Sequence, residues 1–102
     1  MRGFRLSPET EAEMDDIWIY IARESGSIDI ATRIINSLSD CFWLIAKNPY
    51  LGRSRDHDLS PGWRSFPVGN YVVIYCIEDE FVPILHVVHG SRDVEGLQHQ
   101  QV

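Results

Sequence analysis

Lysine is almost missing from this chain: Lys47 stands alone beside eight arginines, against fifteen acidic residues, for a formal net charge of −6. Gripping a nucleic-acid backbone takes a concentration of Lys and Arg. The balance therefore argues against direct sequence-specific nucleic-acid binding and leaves only a local basic patch to look for. Cysteine is scarce too. Cys41 and Cys76 lie in an apolar helical segment and an apolar strand segment and read as buried free thiols in a reducing compartment. They are too few and too far apart for a zinc signature, and the four histidines fall in no ligand spacing, so no metal or cofactor is implied. No apolar run approaches the ~18–20 residues that span a bilayer. The opening MRGFRLSPET lacks the apolar centre of a signal peptide, so a cytoplasmic location without membrane attachment is expected.

What is present suits a small globular protein. The 102 residues, 44% hydrophobic and 11% aromatic, predict a single domain over 1–102. A chain this size buries roughly 60–65% of its unfolded surface, enough for one modest core.

Gly3 to Leu6 is a short apolar run that reads as a first strand. Ser7-Pro8-Glu9 opens a helix: Ser7 caps free backbone N–H groups, and Pro8 suits the first helical position. Glu9, Glu11, Glu13, Asp15 and Asp16 place negative charge near the positive end of the helix dipole. Met14, Ile17, Trp18 and Ile21 form one apolar stripe, and Gly26 supplies the stop. Ser27 and Asp29 open a second helix running to about Lys47, with a stripe of Ile28, Ala31, Ile35, Leu38, Phe42 and Ile45. Asn48-Pro49 ends it. Ile34, Cys41, Trp43 and Leu44 widen its apolar surface enough for a second packed face, against the sheet or a partner.

Residues 49–62 form a polar loop punctuated by Gly and Pro. Trp63 to Pro67, Tyr71 to Ile77 and Phe81 to Val88 then read as a three-stranded antiparallel meander. Pro83 is expected near the start of its strand or on an exposed edge. Gly90 to Val102 reads as polar and frayed, with a tail from about 94. The order β-α-α-β-β-β predicts an α+β domain, an N-terminal helical hairpin packed on a small curved antiparallel sheet.

Three segments in order resemble the RelE/ParE toxin superfamily over roughly residues 4–95: LSPETEAEMDDIWIYIARE at 6–24, NPYLGRSRDHDLSPGWRSFPVGNYVVIYCIEDE at 48–80, and ILHVVHGSRD at 84–93. They carry an acidic first helix, an NP-x-x-G-R loop, an R-S-F-P-V-G-x-Y-V-x-x-Y hairpin and an H-G-x-R-D close, the pattern of plasmid-stabilisation toxins. The resemblance implies the toxin of a type II toxin–antitoxin system. RelE-type members resemble ribosome-dependent mRNA endoribonucleases, whereas ParE-type members are understood to poison DNA gyrase. Both are held by an antitoxin in a hetero-oligomer, a ParD-like one for the ParE type.

Cleaving RNA through its 2′-hydroxyl needs a base, an acid and cations that stabilise charge on phosphorus. RelE-type proteins resemble one another in meeting this with Lys and Arg on the sheet and a Tyr near the C-terminus. In this chain the arginine expected after Tyr71 is Val72, and the lysine-rich strand reads Trp63-Arg64-Ser65-Phe66. Arg92 matches the arginine after the last strand, but the tyrosine position beyond it is Gln98. The resemblance thus implies the ParE type with no catalytic residues, the nuclease being the alternative. His86 and His89 near Arg92 read as structural before catalytic. Arg53, Arg55 and Arg64 suit contacts to an acidic antitoxin or target, or else pair locally with Asp56, Asp58 and backbone. Trp18 and Trp43 read as packing residues, while Trp63, at a loop-to-strand junction, suits a partner anchor. Tyr71, His89 and Arg92 complete the expected partner-binding set, and the polar C-terminal tail is expected to order on the target.

Overall fold

The computed structural model describes residues 3–90, 94, 96 and 97. The elements are β1 (Gly3–Leu6), α1 (Pro8–Ser25), α2 (Ile28–Lys47), a 3-10 turn (Pro49–Leu51), β2 (Arg53–Ser54), β3 (Arg64–Val68), β4 (Tyr71–Tyr75) and β5 (Phe81–His89). The helix ends form where the sequence places them. Ser7 Oγ accepts from Thr10 N–H at 3.0 Å with Pro8 in the first turn, and Gly26 closes α1 at φ +67°. Ser27 caps α2 through Ile30 N–H, and Trp18 Nε1 donates to Thr32 Oγ1 across the hairpin at 3.3 Å. No helix among the described residues is long and apolar enough to cross a membrane.

The five strands are ordered β1-β5-β4-β3-β2, with β1 parallel to β5 and every other pair antiparallel. The sheet is therefore mixed rather than wholly antiparallel. The helical hairpin carries the chain from the far end of β1 back over the sheet, so β1 enters beside β5 in the same direction. The two-residue β2 was not legible in a polar loop. Pro83 sits third in β5, an interior strand, where its carbonyl accepts from Cys76 N–H just past the last residue of β4. It lies just past the Tyr75–Ile84 pair that ends the β4–β5 register.

Both faces of the sheet are buried. On one, Met14, Ile17, Leu38, Phe42 and Ile45 of the helices pack on Val73, Tyr75, Val82, Ile84 and Val87. On the other, Ile74 packs with Leu59, Val94 and Leu97, and Trp63, Val72, Leu85 and Val88 rim that cluster. This is why β4 reads as an unbroken apolar run instead of alternating. Within the stretch expected to be a polar tail, all but Val94, Gly96 and Leu97 lies outside the described residues, and Val94 and Leu97 are 5% and 6% exposed. Three positions apart on a helical turn, they dock on the second face of the sheet, too short a pattern to register in a polar stretch.

The first four residues of β5 are paired by β1, but β5 runs on for five more. A register shift opens there, with Ile74 opposite His86 and Tyr75 opposite Ile84, so Leu85 is a bulge. Helix α1 takes over the exposed edge. Ser7 N–H donates to the Ile84 carbonyl at 3.0 Å and Ser7 Oγ to that of Leu85 at 2.9 Å. The wholly buried Thr10 hydroxyl donates to Ile84 O at 2.9 Å. Glu13 Oε1 accepts from Val87 N–H, and its Oε2 meets His86 Nδ1, both at 3.0 Å. Ser7, Thr10 and Glu13, spaced by three, form one polar line along α1 that replaces a strand.

Removing Glu13 leaves the Val87 N–H without its acceptor, at a cost of about 1–3 kcal/mol. Urea unfolding should rank stability as wild type, then Glu13→Gln, then Glu13→Ala, because the glutamine oxygen still accepts. Glu11→Ala, on the exposed side of α1, should stay within about 0.5 kcal/mol of wild type. Equal stability of Glu13→Ala and Glu11→Ala would refute the edge-capping role.

Candidate partner-binding surfaces

The loop between α2 and β3 is built around two buried polar side chains. Tyr75, fully buried on β4, donates its hydroxyl to Pro49 O at 2.7 Å and accepts from Gly52 N–H at 2.8 Å. Burial, the largest influence, pushes its phenol pKa up despite the Gly52 N–H and the Arg64 guanidinium, so it stays protonated to donate. A side chain at position 52 would collide with the Tyr75 hydroxyl and the Ser65 carbonyl. That contact is why a glycine closes the NP-x-x-G-R stretch. Arg64 Nη2 grips the same turn from outside, donating to Gly52 O at 2.6 Å and Tyr50 O at 3.3 Å, with its guanidinium 5.3 Å from the Tyr50 ring centroid.

Arg55 is the second organiser. It is 9% exposed, its Nε and Nη2 fork onto Asp58 at 2.6–3.0 Å, and Nη1 donates to Ser65 Oγ at 3.0 Å. Hydrogen bonding to Arg55 holds the Asp58 carboxyl below its ordinary pKa, and the Gly62 N–H does the same for Asp56. A depressed carboxylate stabilises the fold above its unfolded pKa and loses that contribution as pH falls through the folded value. The contribution of these two carboxylates is thus present at neutral pH and lost in acid.

These contacts sort the expected partner-binding residues. Arg55 takes the local-pairing reading, bonded to Asp58 and Ser65, and it also lines the groove that Arg53 borders. Arg64 is spent mainly on backbone carbonyls of the turn. Trp63 is partly buried at the rim of the second-face cluster, its ring 6.1 Å from that of His86. Arg53 remains exposed and lines a groove of about 400 Å³ with Leu51, Ser65, Pro67 and Val72. Tyr71 and His89 are brought together as cross-strand neighbours, their rings edge-on at 5.3 Å. Arg92 lies outside the described residues. His86 is engaged with Glu13 at 3.0 Å. Trp43 packs edge-on against Phe4 at 4.8 Å yet stays half exposed. Both thiols are free; Cys41 is buried and desolvation raises its pKa to about 11.

Tyr71 and His89 form one wall of a groove of about 260 Å³ whose other wall is Asp16, Ile17 and Tyr20 of α1. Tyr71 is nearly buried, and desolvation first, then Tyr20 nearby, raise its pKa. Asp16 and Tyr20 were not anticipated as site residues. Their only signal is that, four apart, they share a helix side just off the apolar stripe. Large apolar side chains are also exposed at both ends of α2, Ile28 and Ile30 at its start and Trp43 and Leu44 near its end, with Tyr50 and Leu51 beyond it. Among the described residues no cluster of His, Cys, Asp and Glu is placed to hold a metal.

The family described as the ParE toxin of the type II toxin–antitoxin system parDE matches residues 4–94. Toxin ParE1 of Caulobacter vibrioides is 33% identical over 96 residues, spanning 94% of this chain and 97% of that protein. Toxin ParE3 of the same organism is 34% identical over 93 residues, 91% and 90% of the two chains. A solved structure titled as the chromosomal ParDE TA system from P. aeruginosa superposes with a TM-score of 0.76 over 88% of this chain and 97% of that one, at 14% identity.

The clamp makes a checkable demand on stability. Tyr75→Phe leaves Pro49 O and Gly52 N–H unpaired and should cost about 1–3 kcal/mol in urea unfolding. Gly52→Ala should destabilise wild type more than it destabilises the Tyr75→Phe background, because the hydroxyl it strikes is gone there. Strict additivity of the two substitutions would show that Tyr75 and Gly52 are not coupled.

Proposed function

The chain belongs to the ParE toxin family of type II toxin–antitoxin systems, and from that premise we propose that it inhibits growth by binding DNA gyrase and not by chemistry. The observation that carries this reading is the fate of the sheet positions where a nuclease would need cations. Val72 is packed into the second-face cluster, and Ser65 is buried beneath Arg55. Phosphoryl-transfer chemistry would forgo roughly 2–4 kcal/mol for each missing donor. A protein that inhibits by occupancy acts stoichiometrically.

A ParD-like antitoxin is the second partner, and both meet the chain in the cytoplasm. The exposed Ile28, Ile30, Trp43 and Leu44 of α2 supply apolar surface for a segment that orders as it binds, burying on the order of 1,000–3,000 Å². The C-terminal segment is a poorer candidate for a free tail that orders on the target, because Val94 and Leu97 are already used by the sheet.

The reading is tested on relaxed plasmid with purified gyrase. Rising toxin should block supercoiling or accumulate cleaved DNA near equimolar ratio, and the co-purifying product of an adjacent antitoxin gene should restore activity. Unchanged supercoiling at several-fold molar excess of toxin would exclude gyrase as the target.

A further inference from the structure

The groove between α1 and the ends of β4 and β5 sets two tyrosines, a histidine and a carboxylate around an apolar floor. Its helix wall carries Asp16 and Tyr20, one turn apart, on either side of the buried Ile17 that floors it. Its sheet wall carries the edge-on Tyr71–His89 pair. Tyr20 is 60% exposed, so its ring is offered to solvent next to a carboxylate. The rest of α1 adds Glu9, Glu11, Glu13, Asp15 and Glu24 against a single basic residue, Arg23. The field around the groove therefore draws cations. Aromatic rings with negative faces, an apolar floor and one carboxylate complement a flat cation on an apolar stem. A guanidinium meets each demand: it stacks on tyrosine, forks onto a carboxylate, and sheds its weak hydration at little cost.

We propose that this groove receives an arginine side chain presented by a partner protein. The inference rests on the reading that the chain works by binding proteins, and it adds the chemistry by which one of them is recognised. A compact ammonium would gain the charge attraction but lose the stacking and the fork, so lysine is the weaker occupant.

The test uses the whole isotope-labelled chain in NMR titrations with three blocked tripeptides, Gly-Arg-Gly, Gly-Lys-Gly and Gly-citrulline-Gly. Citrulline keeps the shape of arginine without its charge. The arginine peptide should move the amides of Asp16, Tyr20, Tyr71 and His89 and bind at least about tenfold more tightly than the citrulline peptide. Asp16→Asn and Tyr20→Ala, both at exposed positions, should each erode that preference with the spectrum otherwise unchanged. Equal response to citrulline or lysine, shifts centred elsewhere, or full affinity in Asp16→Asn would overturn the proposal. Neither gyrase nor antitoxin is in the tube, so this failure would leave the gyrase reading standing, and the reverse holds too.

Discussion

The architecture hangs on how the long strand β5 is finished once β1 has run out. A four-residue β1 covers less than half of a nine-residue strand, and the uncovered stretch contains a bulge. Left alone, that edge would present unpaired N–H and C=O groups to solvent or to another chain. Ser7, Thr10 and Glu13 prevent this by bonding the Ile84 and Leu85 carbonyls and the Val87 N–H. The same residues that cap and open α1 therefore fix where the helical hairpin sits on the sheet. That placement in turn sets Ile17 against the core and holds Asp16 and Tyr20 opposite Tyr71 and His89.

Much of this was legible in the chain itself. Ser7-Pro8, Gly26, Ser27 and Asn48-Pro49 mark both helices, and the α2 stripe of Ala31, Leu38, Phe42 and Ile45 is buried as its period requires. Ile28 breaks that pattern. It is the first residue of the helix and is 64% exposed. What the period cannot carry is pairing direction and short elements. The parallel entry of β1, the two residues of β2 and the docking of Val94 and Leu97 all depend on contacts between distant segments. Apolar runs of two to four residues do not encode such contacts locally.

The partner surface was less legible than the fold, for a physical reason. Arginine serves as a surface cation and as an internal clamp with the same spacing and neighbours, and only burial separates the two. Arg53 and Arg55 are two residues apart, yet one is exposed and the other is forked onto Asp58 beneath the loop. Arg64 holds carbonyls of the 3-10 turn, a role set by the fully buried Tyr75 at its other side. Family motifs mix such residues with true contact residues, and here NP-x-x-G-R records the clamp as much as any partner.

The sheet that would hold catalytic cations in a nuclease is a packed apolar surface in this chain. Val72 and Ile74 join Leu59, Val94 and Leu97 there, and Ser65 is covered by Arg55. Inhibition by occupancy is the proposal that this packing supports. The most direct measurement is primer extension on a message being translated in a purified system, with toxin titrated over the ribosomes. The account predicts an unchanged extension pattern at every toxin concentration. New 5′ ends within ribosome-occupied codons, increasing with time at substoichiometric toxin, would contradict it.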